Sequence, residues 1–182
     1  ILFNIDSKSA TDSKMNKEAI KDVFMKVFND YLGYCGSIPF LADFERKLDN
    51  DGRYEEFKTK FEEINGSSWV ESREDFYFIQ DEIMETVVSL GIMSENEARN
   101  WTENAQSSYS LSIDKFAEYI RKYCESKGKD HHVLFLVDEI GQYIADDSKL
   151  MLNLQTVTED LGTACKGNAW IIVTSQQDIG SI

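Results

Sequence analysis

Residues 133–139 read Val-Leu-Phe-Leu-Val-Asp-Glu, five apolar residues in a row ended by two adjacent carboxylates. A short run without charge fits a strand buried on both faces of a parallel sheet. Ligands of open α/β sheets bind beyond the carboxyl ends of the strands, which is where Asp138 and Glu139 fall. One carboxylate there can hold Mg²⁺, largely through water, while its neighbour orients or deprotonates an attacking water. The same residues also fit a buried strand that merely ends in a solvated acidic turn, so the surroundings must decide.

Those surroundings favour chemistry. Ile140 to Gly167 is a helix-length stretch, with Leu150, Leu152, Leu154, Val157 and Leu161 at roughly helical spacing. A second uncharged run, Ala169-Trp170-Ile171-Ile172-Val173, then leads into Thr174-Ser175-Gln176-Gln177. Strand, helix and strand in this order predict a right-handed crossover with a parallel pair. The second strand then delivers Thr174, Ser175 and Gln176 to the sheet edge that carries Asp138 and Glu139. Short polar side chains at that edge can hydrogen-bond a terminal phosphate or the attacking water.

With those residues in view, VLFLVDEIGQY followed by WIIVTSQQD resembles the Walker B and sensor-1 segments of AAA+-like P-loop ATPases. More narrowly, DEIGQYI, the stretch LNLQTVTEDLGTACKG and the opening ILFNIDSKSA resemble the large P-loop ATPase of bacterial BREX phage-defence systems (BrxC/PglY type). The longer match, from about residue 133 to 180, carries the narrower resemblance. It implies that Asp138 is the metal-linked acid, Glu139 the catalytic glutamate, and Gln176, with Ser175 beside it, the sensor position. Thr174 belongs to the same nucleotide-facing edge. ATP and Mg²⁺ are the implied cofactors of the full-length protein, and other subunits of a defence complex, or further copies of the same chain, the implied partners. Many relatives carry Asn at the sensor position, where this chain has Gln176.

One part of the pattern is missing. No G-x-x-x-x-G-K-[ST] occurs in the 182 residues, and Gly128-Lys129 continues to Asp130. That loop supplies the clustered backbone N–H groups and the lysine that hold the β- and γ-phosphates. The chain opens at Ile1 without Met, and Ile1 to Asp6 already read as a strand. It is therefore expected to be a piece of a larger ATPase, inactive alone and binding no nucleotide by itself.

The 33 acidic residues outnumber the 19 basic ones and give a net charge of −14, with no Lys/Arg-rich run. Phosphate backbones are bound by clusters of cations, so no direct nucleic-acid surface is expected here. No apolar stretch approaches the roughly 18 residues that a membrane span needs, and no signal-peptide pattern occurs, so a cytoplasmic protein is expected. Cys35, Cys124 and Cys165 are odd in number and lack metal-site spacing, which favours reduced thiols. Asn65-Gly66-Ser67 and Asn100-Trp101-Thr102 match the glycosylation pattern incidentally.

Between the two ends the periodicity turns helical. Met15, Ala19, Ile20, Val23, Phe24, Val27, Phe28 and Tyr31 share a face from Lys14 to Leu32. Tyr54, Phe57, Phe61 and Ile64 form a stripe over 53–64, and Phe76, Ile79, Ile83 and Val87 predict one long helix from about Glu71 to Leu90. Ser94-x-x-Glu97 reads as a capping box of a short helix, and Ser112 as the cap of a helix carrying Ile113, Phe116, Ala117, Ile120 and Tyr123. Pro39, the single proline, is expected in the turn Gly36–Pro39. The aromatic stripes, Trp69 and Tyr77 among them, are expected in a core rather than around a ligand. His131 and His132 would point to opposite sides of an extended segment, which does not suit a shared metal.

The expected fold is α/β: a partial P-loop NTPase parallel sheet of about three strands (near 1–6, 132–137 and 169–174) with a large all-helical insertion. Residues 1–10 and 130–182 would form the ATPase core and 11–129 the insertion. The full-length protein would couple ATP hydrolysis to assembly or conformational change in a phage-defence complex. The alternative is a helical protein–protein interaction module on a non-catalytic P-loop scaffold. A metal-dependent nuclease built on Asp138 and Glu139 would need further converging acids, which no motif supplies.

Overall fold

Three short strands run parallel in the order β1-β2-β3, and everything else in the described chain is helix, turn or loop. The computed structural model describes residues 1–5, 19–145 and 147–175. The elements begin with β1 (Leu2–Asn4), α1 (Ala19–Leu32), α2 (Pro39–Asn50), α3 (Tyr54–Asn65) and α4 (Trp69–Ser72), followed by a 3-10 helix at Arg73–Phe78. They continue with α5 (Gln80–Ser89), α6 (Glu95–Ser108), α7 (Ile113–Lys127), β2 (Val133–Asp138), α8 (Ile140–Ile144), α9 (Ser148–Cys165) and β3 (Ala169–Val173). The chain forms two units: residues 1–31 with 111–182, and residues 32–110. Helices α1 and α7, expected in the insertion, lie in the sheet unit.

In the sheet unit the buried face carries Phe3, Val133, Phe135, Val137 and Ala169. Helix α1 lays Phe24 onto it, with ring centroids 5.4 Å from Phe3 and 5.1 Å from Phe135. Phe28 of α1 and Phe116 of α7 each approach Phe135 to 6.4 Å. Each ring so buried contributes about 1.5–3 kcal/mol. The start of α1 is tied to α9, where the Asn153 side-chain carbonyl accepts from Ile20 N–H at 3.1 Å and Lys21 N–H at 3.2 Å. Two otherwise orphaned helix donors are thereby satisfied.

The other sheet face corrects an expectation. Strand β2 is buried on one side only: Leu134 is exposed, as are Leu2, Trp170 and Ile172 beside it. Among the described residues, the helices whose packing is seen cover the phenylalanine face. Strand β1 is also shorter than expected, because Ile5 has left the sheet.

The stretch expected as one helix after Ile140 is two. Ala145, at φ 45 and ψ −128, breaks it, and Asp147 starts α9 by accepting from Lys149 N–H at 2.9 Å and Leu150 N–H at 3.4 Å.

The helical unit has its own core, with Phe57, Phe61, Trp69 and Phe76 essentially inaccessible. The Trp69 ring meets Phe57 and Phe61 edge-on at 5.0 Å each, an arrangement that aromatic quadrupoles favour. Tyr77 departs from its expected place and is 57% exposed. Pro39 opens α2 instead of ending a turn; its missing N–H is one that the first helical turn leaves unpaired anyway. The single helix expected over 71–90 is broken into α4, the 3-10 helix and α5, with Asp75 and Ile79 outside helical dihedrals. At three residues per turn, Arg73 and Phe76 eclipse one another. The Arg73 guanidinium reaches Glu45 and Phe76 stays in the core. Ser94 forms its capping box with Glu97, on a helix of 14 residues instead of a short one. The bonds from the Ser94 hydroxyl and backbone N–H hold the Glu97 carboxyl below the usual range.

At the centre of this unit lies Glu45, fully buried. Its Oε1 accepts from Tyr54 Oη, Trp69 Nε1 and Arg73 Nη1, each at 2.8 Å, and its Oε2 accepts from Cys35 N–H at 2.5 Å. Burial works against the Arg73 charge, yet Glu45 beside it holds the guanidinium more firmly protonated than usual. Burial and the Glu45 charge together push the Tyr54 hydroxyl far above its ordinary range.

Candidate functional site

Parallel register decides what meets at the carboxyl edge. Asn4 pairs with Asp138, and Val137 pairs with Val173, so Thr174 continues at the level of Asp138. Asn4, Asp138 and Thr174 thus stand side by side at three neighbouring strand ends, with Glu139 in the turn beyond.

The hydrogen bonds knit them. The Thr174 hydroxyl donates to Asp138 Oδ1 and accepts from Glu139 N–H at 3.2 Å. Thr174 N–H donates to Val137 O at 2.9 Å, and Ile140 N–H to Thr174 O at 3.1 Å. Asn4 Nδ2 donates to Glu139 Oε2 at 3.1 Å. Asp138 remains exposed and Glu139 half-buried, so both carboxylates are reachable from solvent.

Glu139 takes the left-handed backbone conformation, φ 59 and ψ 33. For a residue with a Cβ this costs about 1–2 kcal/mol relative to a right-handed one. Such outliers persist only where the surroundings over-determine them, and they concentrate at functional sites. Here the two bonds from Glu139 and Ile140 to Thr174 hold the turn. Helix α8 starts immediately after it, and Gly141 in that helix lies directly against Ser175.

Of the residues expected from the sequence, Asp138, Glu139, Thr174 and Ser175 come together at this edge. Gln176 lies outside the described residues. Asn4 was not singled out, although it touches the glutamate. Its signal was the polar residue ending a short apolar run at the chain start, which acquires meaning only through the register with Asp138.

The donor set is all oxygen: a carboxylate, a threonine hydroxyl and a serine hydroxyl. That suits a hard cation such as Mg²⁺, which is typically held by one or two carboxylates together with water and substrate phosphates. Among the described residues no group of three or more His, Cys, Asp or Glu side chains could hold a metal ion as a closed cage. Cys35, Cys124 and Cys165 are free and buried, and burial raises the pKa of all three thiols. Among the described residues no helix is long and apolar enough to cross a membrane. No family model matches the chain, and no solved structure matches it.

Proposed function

We propose that this chain carries the water-activating half of a P-loop ATPase, of the kind found in BREX phage-defence systems, with the phosphate-binding loop supplied by the full-length protein. The observation that carries this reading is the convergence of Asn4, Asp138, Glu139 and Thr174 at one edge of a parallel sheet. Bound Mg²⁺ would supply charge neutralisation on the phosphates.

The chain's own residues have separable tasks. Asp138 would hold the metal, with Oδ1 already oriented by the Thr174 hydroxyl. Glu139 orients a water and takes its proton. Asn4 holds one oxygen of that carboxylate in place. Ser175 and Gln176 report the terminal phosphate to β3. The helical unit would meet other subunits of the complex, and its 88% exposed Phe78 favours an interaction role for that unit.

In the full-length protein, Glu139→Gln keeps shape but removes the base, so nucleotide affinity is retained while turnover falls about 10²–10⁴-fold. Asp138→Ala instead weakens Mg²⁺-dependent binding. Turnover at the unaltered rate in Glu139→Gln contradicts the assignment. The present chain alone shows no saturable Mg-ATP binding in calorimetric titration on this reading, and low-micromolar binding would contradict it.

A further inference from the structure

The second residue of helix α8, Gly141, sits where there is no room for a side chain. A Cβ built on Gly141 would stand 2.0 Å from Ser175 Oγ and 3.1 Å from Ser175 Cβ. Swinging the hydroxyl away would relieve the first contact but not the second, which is itself tighter than ordinary van der Waals packing. Either Ser175 must move with its backbone or the turn before Gly141 must give way.

That turn is the one that holds Glu139. The end of β3 is laced to it by Glu139 N–H to Thr174 Oγ1 at 3.2 Å and Ile140 N–H to Thr174 O at 3.1 Å. Ser175 is the next residue along the lace, and Gly141 the next along the turn. The contact at 141 and 175 closes a ladder whose first rungs keep Glu139 left-handed and its carboxylate on Asn4. If the ladder opens, Glu139 can relax to negative φ, which swings its side chain off the edge.

We propose that Gly141 is a positioning residue for the Glu139 carboxylate: it seats the Ser175 hydroxyl where a side chain would stand, locking the end of β3 onto the glutamate turn. This rests on the reading of Glu139 as the water-activating group. Gly141 touches no substrate, and it acts through Ser175 and the turn alone.

The test is a double-mutant cycle in the full-length protein, with Glu139→Gln as control. Gly141→Ala lowers kcat about 10- to 100-fold while nucleotide affinity stays within about 2-fold, because a misaimed base loses turnover and not binding. In a Ser175→Gly background, adding Gly141→Ala changes kcat by less than about 3-fold, since the clashing atoms are gone. Amide exchange at Glu139 and Ile140 quickens in Gly141→Ala and returns, in the double variant, to the level of Ser175→Gly alone. If Gly141→Ala fails to fold, the double variant must fold; failure in both backgrounds overturns the proposal. Equal slowing in both backgrounds also overturns it, as does an unaltered kcat in Gly141→Ala when Glu139→Gln is slow. An unaltered rate in Glu139→Gln removes the functional reading, and this inference with it.

Discussion

Glu45 and Glu139 are both glutamates beside an apolar layer, and their surroundings differ in every respect that matters. Glu45 is fully buried and accepts from four donors contributed by α3, α4, the 3-10 helix and the segment before α2. Glu139 is half-buried, strained, and accepts from Asn4 at a sheet edge open to solvent. Fully buried and held by four fixed donors, the Glu45 carboxylate is out of reach of water or ligand. Glu139, at an edge that solvent reaches, can still meet water. Full burial among four donors suits Glu45 to a structural task, and partial exposure at a strained turn is compatible with the chemical task proposed for Glu139.

Removing Glu45 has the largest expected effect. Glu45→Ala strips the Arg73 guanidinium of its carboxylate, leaving it the Gly33 carbonyl at 2.9 Å, takes the acceptor from Trp69 and Tyr54, and costs about 3–5 kcal/mol of stability. Urea unfolding followed by tryptophan fluorescence measures it. A loss below about 1 kcal/mol would put Glu45 in the class of ordinary surface acids.

A smaller effect comes from one donor. Trp69→Phe keeps most of the ring volume but deletes the indole N–H bound to Glu45 at 2.8 Å. Losing a hydrogen bond to a buried charge costs about 1.5–3 kcal/mol. The same unfolding experiment, read by circular dichroism, checks it.

At the other acid the sign turns. Glu139→Gly should be more stable than Glu139→Ala by about 1 kcal/mol, because glycine takes the left-handed conformation without a Cβ penalty. Both variants lose the contact with Asn4, so the difference isolates the backbone. Equal stabilities would mean that the turn relaxes at no cost and that no strain is stored there.

The smallest effect is on pH. Burial, with Cys124 nearby, pushes the Cys165 thiol from its ordinary 9.0 up to about 11. Between those values the unfolded chain releases the proton and the native state keeps it. The stabilisation is therefore complete below pH 9 and is lost as pH rises towards about 11. Urea midpoints at about pH 8 and about pH 10.5 should separate less in Cys165→Ala than in the unaltered protein. The same drop in both would place that titration elsewhere.

Much of the sheet was legible because its signals are local. The uncharged runs at 133–137 and 169–173 named two strands, and the single helix-length segment between them required a parallel pair. Parallel pairing then brought Asp138, Glu139, Thr174 and Ser175 to one edge. What escaped the sequence depends on partners far along the chain. Asn4 reaches Glu139 across 135 positions, and nothing near Asn4 announces it. Glutamate is not a residue that signals a left-handed turn, so the strain at Glu139 had no local mark. Phe76, Ile79, Ile83 and Val87 suit one continuous helix, and the break before Ile79 accompanies the long-range pairing of Arg73 with Glu45. The helix starting at Pro39 could have been found, since Phe40, Leu41, Phe44 and Leu48 follow at helical spacing and proline is at home in a first turn. The bare face of β2 could not, because five apolar residues in a row look the same whether one side is covered or two.

On the proposed reading the sheet edge, and not the buried acid, meets the metal and its nucleotide. Mn²⁺ in place of Mg²⁺, added with ATP to the full-length protein, tests this directly by paramagnetic broadening of assigned amide signals. Signals of Asp138, Glu139, Ser175 and Asn4 should broaden beyond detection, and more strongly than those of Val133 and Ala169 at the other end of the strands. Persistence of the signals at 138 and 139 under saturating Mn-ATP, or broadening centred on any other group of residues, would contradict the claim.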